Sequence, residues 1–151
     1  MDLQSLVTFG PRVGVAALAG MAIGLNRELH GKPAGLRTHG LIAMGAALVT
    51  AIAAYLSPAD PAAVSRVMQG VVAGLGFVGA GVVMHHDVEH RVEGLTTAAT
   101  IWMVAALGVA CGIGLYALAV ASVLLALVIL VLGARVEEAF LRRQRRPSRE
   151  P

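Results

Sequence analysis

A chain of 151 residues that is 57% hydrophobic, only 14% charged and of mean hydropathy +0.76 excludes a water-soluble domain, because soluble domains are roughly a quarter charged and do not leave that much apolar surface in water. The net charge of +3 and pI near 9.8 come largely from an Arg-rich tail, which beside a membrane helix sets topology and touches anionic lipid, so nucleic acid is not expected as a partner. The lone Cys111 excludes an intrachain disulfide.

Charges gather in residues 26–37, 85–93 and 135–150, and the runs between them are long enough to cross about 30 Å of hydrocarbon. The first span, 3–25, holds Gly10, Pro11 and Arg12, which predicts a short outer helix followed by a broken span. Residues 26–37 form a polar loop with Gly31, Pro33 and Gly35 as breakers. A second span covers 38–56. The turn Ser57-Pro58-Ala59-Asp60-Pro61 follows, with Ser57 or Asp60 available as a helix cap. The third span is 67–84, then a polar segment at 85–93, then a fourth span at 95–111. Gly112-Ile113-Gly114 makes a tight turn into the fifth span, 115–132, whose helix extends into the charged tail.

These runs are too long and too continuous for the alternation of a membrane barrel, and a helix satisfies its own backbone in lipid. The expected fold is all-α: a polytopic membrane protein with about five transmembrane helices in one bundle. Residues 1–134 form that domain and 135–151 a short cytoplasmic tail, with no soluble domain after it. The N-terminus lacks a basic n-region, so no cleaved signal peptide is expected. With the tail inside, Arg27, Lys32, Arg37, Arg91, Arg135, Arg142, Arg143, Arg145, Arg146 and Arg149 are all inside, and only Arg12 and Arg66 are outside. That bias places the N-terminus outside and the C-terminus in the cytoplasm.

Glycines mark where helices can approach closely. Gly20 and Gly24, Gly70 and Gly74, and Gly108 and Gly112 repeat a small-xxx-small spacing, and Gly76, Gly79 and Gly81 continue the third-span run. Residues 74–79 match a dinucleotide-binding fingerprint, but no strand or βαβ unit surrounds them, so helix packing is the reading. Within a bilayer, such faces suit a homo-oligomer or contact with other membrane proteins. His85, His86, Asp87, Glu89 and His90 include metal-ligand types without the spacing of a known site, so a metal role is left open beside that of a solvated connector. Arg12, at the edge of the first span, is either functional or a snorkelling anchor. Asp60 and Arg66 fall on the same outer side and are candidate neighbours. Thr96, Thr97 and Thr100 lie at the inner end of the fourth span, where threonine bonds its own helix or a neighbour. No Ser-His-Asp set, Walker loop or spaced carboxylate pair is present, so no enzyme is expected.

The segment Gly24-Leu25-Asn26-Arg27-Glu28 followed by Gly31-Lys32-Pro33-Ala34-Gly35-Leu36-Arg37-Thr38-His39 resembles the first signature of the MgtC/SapB family of bacterial membrane proteins. The glycine run from Gly74 to Gly81 resembles the second, and the run from Gly94 through Thr96, Thr97 and Thr100 to Trp102 resembles the third. Asn26 stands where family members often carry an acid. The resemblance implies an inner-membrane protein linked to magnesium homeostasis, low-magnesium adaptation and virulence, acting as a non-enzymatic regulator of other membrane proteins. The alternative is a small transporter or channel for magnesium or another cation. Magnesium prefers carboxylate oxygen, and every Asp and Glu falls at a span end or in a loop. No cofactor is expected, and magnesium is the one ion the resemblance brings in. Alternating topology gathers Arg27, Glu28, Arg37, Thr38, Glu93, Thr96, Thr97 and Thr100 at the inner face, and this polar cluster is the expected working surface. Within it, Arg37 is placed to hold Glu28 or Glu93 bidentately.

Overall fold

The structure is a computed structural model that describes residues 3–84 and 94–144. Five helices make up the described chain: α1 (Leu3–Leu29), α2 (Leu36–Leu56), α3 (Pro61–Met84), α4 (Leu95–Gly112) and α5 (Tyr116–Gln144). Each contains a stretch apolar and long enough to cross a bilayer. The chain alternates direction, so one end of the bundle carries Arg12, Asp60 and Gly112, and the other carries Arg27, His39 and Thr97.

Pro11 does not break α1. The helix runs through it, at the cost of the backbone hydrogen bond to the Val7 carbonyl, a loss that membrane helices tolerate. The ends of α1 and α4 share one device. Gly31 N–H donates to Glu28 O (3.0 Å) and Lys32 N–H to Arg27 O (3.0 Å); Gly114 N–H donates to Cys111 O (2.9 Å) and Leu115 N–H to Ala110 O (2.8 Å). Both are Schellman caps, which need a left-handed residue, and Gly31 (φ 63°) and Gly114 (φ 88°) supply it. Asp60 caps α3: its Oδ1 accepts from Ala62 N–H at 2.9 Å, and Pro61 takes the first helical position, where no amide is needed.

The core is a cluster of three helices, α1, α2 and α4, each in contact with the other two. Small residues set how closely they approach. A Cβ on Gly20 would strike the His39 carbonyl and lie 2.8 Å from the Ala43 methyl; one on Gly24 would lie 2.7 Å from the Gly35 carbonyl oxygen. From α4, a Cβ on Gly108 would strike the Ala43 carbonyl, and one on Gly112 would lie 2.7 Å from Ala47 O. Ala16, Ile23, Ala43, Ala47, Val104, Leu107 and Cys111 fill the seams. Lipid offers no hydrophobic drive between helices, so these contacts hold the cluster together by dispersion, which needs such proximity.

The outer helices pack differently. α3 sets Val71 and Leu75 against Ala46, Ala105 and Val109, and the rest of its surface is open. Gly70, Gly74, Gly76 and Gly81 meet no atom within 4 Å, and Gly79 meets only Ala98. The close packing expected of the third-span glycines is therefore absent within one chain: α3 lies at the bundle edge and turns a single narrow face inward. Gly70, Gly74 and Gly81 share an outward face with Phe77, which is 86% exposed. α5 reaches the core mainly through Ala119, and beside it an apolar crevice of about 260 Å³ opens between α1 and α5, lined by Val15, Leu18, Val120 and Val123.

Candidate functional site

Buried polar side chains inside an apolar bundle are costly, so their placement is informative. The described residues include Arg27, His39, Thr50, Thr97 and Thr100 in this class. Thr50 bonds its own helix, with Oγ1 donating to Ala46 O at 2.7 Å. The other four converge where the last turn of α1 meets the first turns of α2 and α4.

Arg27, 6% exposed, donates from Nη2 to Thr97 Oγ1 at 3.2 Å. Its Nε is buried and has no partner among the described residues. His39, fully buried, lies one turn into α2, with Nδ1 3.0 Å from Gly35 O and Nε2 3.0 Å from Thr100 Oγ1. A carbonyl can only accept, so Nδ1 carries a proton. The Thr100 hydroxyl is also 2.8 Å from Thr97 O. With neutral His39 its single hydrogen serves one of two acceptors, Nε2 or the Thr97 carbonyl. The network ties all three core helices together, and a hydrogen bond from a charged donor contributes about 1.5–3 kcal/mol.

Of the cluster expected from sequence, Arg27, Thr97 and Thr100 come together. Glu28 does not reach Arg37. Its Oε2 accepts from Leu36 N–H at 2.9 Å, and so caps α2, whose N-cap Gly35 has no side chain to do so. The amide one residue before Arg37 is nearer and fixed, and it wins the carboxylate from a long, exposed side chain. Arg37, Thr38 and Thr96 are exposed. Glu93 and the ligand types at His85, His86, Asp87, Glu89 and His90 lie outside the described residues. Among the described residues, no group of three or more His, Cys, Asp or Glu is placed to hold a metal. His39 was missed as a site residue: a lone histidine in an apolar helix reads as filler, and only its position one turn beyond Gly35 hinted at the shared contact. Ala34, just before Gly35, is held at φ 60°, a left-handed conformation that is strained for alanine and often found beside functional sites.

At the opposite end, Asp60 and Arg66 do pair, at 3.1 Å, and both are exposed. Arg66 holds the Asp60 carboxyl below the usual carboxylate range, and the Ala62 amide adds to this. Arg12 is elsewhere. Its Nη1 donates to Gly112 O at 2.9 Å, and the guanidinium sits 4.8 Å from the centre of the Phe9 ring, which meets Tyr55 edge-on at 5.5 Å. A cation on the last carbonyl of α4 suits the negative end of its dipole, so Arg12 fastens α1 to α4.

Comparison with known proteins gives a consistent result. The model of the MgtC family matches residues 13–139. The chain is 47% identical over 117 residues to Protein SrpB of Synechococcus elongatus, covering 71% of this chain and 64% of that protein. It is 42% identical over 128 residues to the Putative magnesium transporter YhiD of Escherichia coli, covering 79% of this chain and 57% of that one. Protein MgtC of Salmonella typhimurium is 41% identical over 112 residues, covering 74% of this chain and 46% of that one. The chain thus spans about half to two thirds of the length of these relatives. No solved structure is a significant match.

Proposed function

The chain belongs to the MgtC family, a family linked to magnesium, and from that premise we propose that it is a non-enzymatic regulator of other proteins in the bacterial cytoplasmic membrane. Its service is to magnesium homeostasis, low-magnesium adaptation and, in pathogens, virulence. The observation that carries this reading is the sign of the buried charge. The ionised side chain buried where α1, α2 and α4 meet is the guanidinium of Arg27, with no carboxylate beside it among the described residues. A divalent cation entering there would meet like charge at low dielectric, where repulsion is strong, and the nearest carboxylate among the described residues, that of Glu28, which magnesium would prefer, is engaged by the Leu36 amide.

The open glycine face of α3 suits the same reading. Small residues facing outward let another helix approach closely, as lipid tails have no need to, and Gly70, Gly74 and Gly81 flank the exposed Phe77 on that face. We assign this face to a partner helix, whether from another membrane protein or from a second copy. The Arg27 end belongs in the cytoplasm, following the Lys and Arg distribution.

Flux through the purified protein in liposomes separates this reading from the transporter alternative. With magnesium and protons followed separately, the regulator reading gives rates equal to empty liposomes for both ions. Magnesium uptake above that background, saturating with magnesium concentration, would establish the transporter instead.

A further inference from the structure

The helix N-termini at Leu36 and Pro61 each have an acid from this chain: Glu28 on the Leu36 amide of α2, and Asp60 on the Ala62 amide of α3. α4 has a different neighbour. Its N-cap is Gly94, at φ 88°, with no side-chain cap, and the side chain seated on its first turn is cationic Arg27, through Thr97. Two positive features therefore meet here: an uncapped helix N-terminus, equivalent to about half a unit charge, and a full guanidinium charge. Arg27 is more than nine-tenths buried, its Nε is buried without a partner, and its bonded neighbour among the described residues is a neutral hydroxyl. An unpaired buried cation is costly. Exposed Lys32 and Arg37 flank the same end, and the nearby acid, Glu28, is committed to α2.

We infer that Arg27 and the first turn of α4 form a binding site for an oxyanion of the phosphate class. The guanidinium fork matches two oxygens of a phosphate, and the amides at the start of α4, which no side chain of the described residues caps, match a third. Arg27 lies in the last turn of its span, at the depth of lipid headgroups, so the phosphate comes either from an anionic phospholipid or from the cytoplasm. The α1–α2 connection holds the site in shape: the Schellman cap at Gly31 follows Arg27 directly, and Ala34 at φ 60° turns the chain into α2. The site stands whether or not the chain regulates a partner.

Thermal unfolding of the full chain in neutral detergent tests this. Inorganic phosphate is titrated against chloride at matched ionic strength, and in separate arms phosphatidylglycerol is compared with phosphatidylcholine. The wild-type midpoint is expected to rise with phosphate beyond the chloride control if the ligand is soluble, or with phosphatidylglycerol alone if it is a headgroup. Arg27→Gln is expected to weaken the response at least tenfold in ligand concentration, and Arg27→Lys to fall between, since it keeps the charge but loses the fork. Should Arg27→Gln fail to assemble, Thr97→Val keeps the cation and removes its neutral partner, so it should respond at least as strongly as wild type. A wild-type midpoint that neither probe moves beyond its control overturns the inference and shows that the guanidinium is satisfied within the chain. An undiminished response in Arg27→Gln, or a lost one in Thr97→Val, overturns it as well.

Discussion

Adding one methyl group at Gly108 should distinguish the core of this bundle from its periphery. A Cβ there would overlap the Ala43 carbonyl oxygen, lie 2.8 Å from the Ala46 methyl and 3.0 Å from the Ala43 carbonyl carbon. Carbon atoms in contact prefer about 3.5–4.0 Å, so α2 and α4 must part by roughly 1 Å. Two of the three atoms in the way are backbone and cannot rotate aside. The separation also loosens the contact at Gly112, one turn on, where Ala47 O and the Thr50 Cβ both sit at 2.7 Å. Overpacking costs about 1–3 kcal/mol, and this seam belongs near the top of that range. Alanine regains about 1 kcal/mol over glycine in helix propensity, so Gly108→Ala should destabilise by about 2 kcal/mol. Gly74→Ala is the control. It meets nothing within 4 Å, and should be neutral or stabilising by up to about 1 kcal/mol. Reversible unfolding in mixed micelles, followed by circular dichroism at high dilution, measures both. Equal stability of the two variants would refute the three-helix core and the assignment of α3 to the edge.

Three other outcomes follow from the same geometry. Arg12→Ala should cost about 1–2 kcal/mol, because Gly112 O loses its partner, whereas Arg12→Lys should recover part of the loss; unfolding in micelles reads both. Asp60 binds its proton less readily folded than unfolded, because Arg66 and the Ala62 amide favour its charged form. Its contribution is therefore fully present above about pH 4 and vanishes as the pH falls through the folded value. The Asp60→Asn variant should lack that acid-side dependence in a pH titration of stability. Finally, single cysteines at Ala59 and Ser148 in a Cys111→Ser background should label oppositely in intact cells with an impermeant reagent, position 59 reacting and position 148 not. The reverse pattern would invert the topology.

The spans were legible in the sequence because lipid demands long apolar runs and leaves charges at their ends. Chain reversals were legible as well: Asp60 was one of two candidate caps and took that role, and Gly31 and Gly114, read as a breaker and a turn, supply the left-handed residues. What failed to show was pairing. Glycine spacing reports that a helix can be approached closely, but the approaching backbone is not written in it. Gly108 found Ala43, while Gly74 found nothing in the same chain. Glu28 and Arg37 looked like an ion pair because charge suggests charge, yet a fixed amide at Leu36 outcompeted a mobile guanidinium. His39 closed the first family-like segment but carried no mark of its partner. Its importance comes from Thr100, sixty-one residues away, a contact set by how α2 and α4 cross.

The two arginines of α1 have a joint consequence for the bilayer. Arg12 fastens to Gly112 at the end of α4, and Arg27 fastens to Thr97 at its start. The interval from Arg12 to Arg27 and the interval from Thr97 to Gly112 are both fifteen residues, about 22 Å in each helix. The two antiparallel helices are thus bolted at matching distances, and neither can slide or lengthen against the other. Such a pair acts as a ruler. In a membrane thicker or thinner than its apolar length, the bundle must tilt or the lipid must deform, since sliding would break a bolt. Mismatch with the bilayer is therefore met by tilt or by the lipid, and not by sliding of α1 past α4.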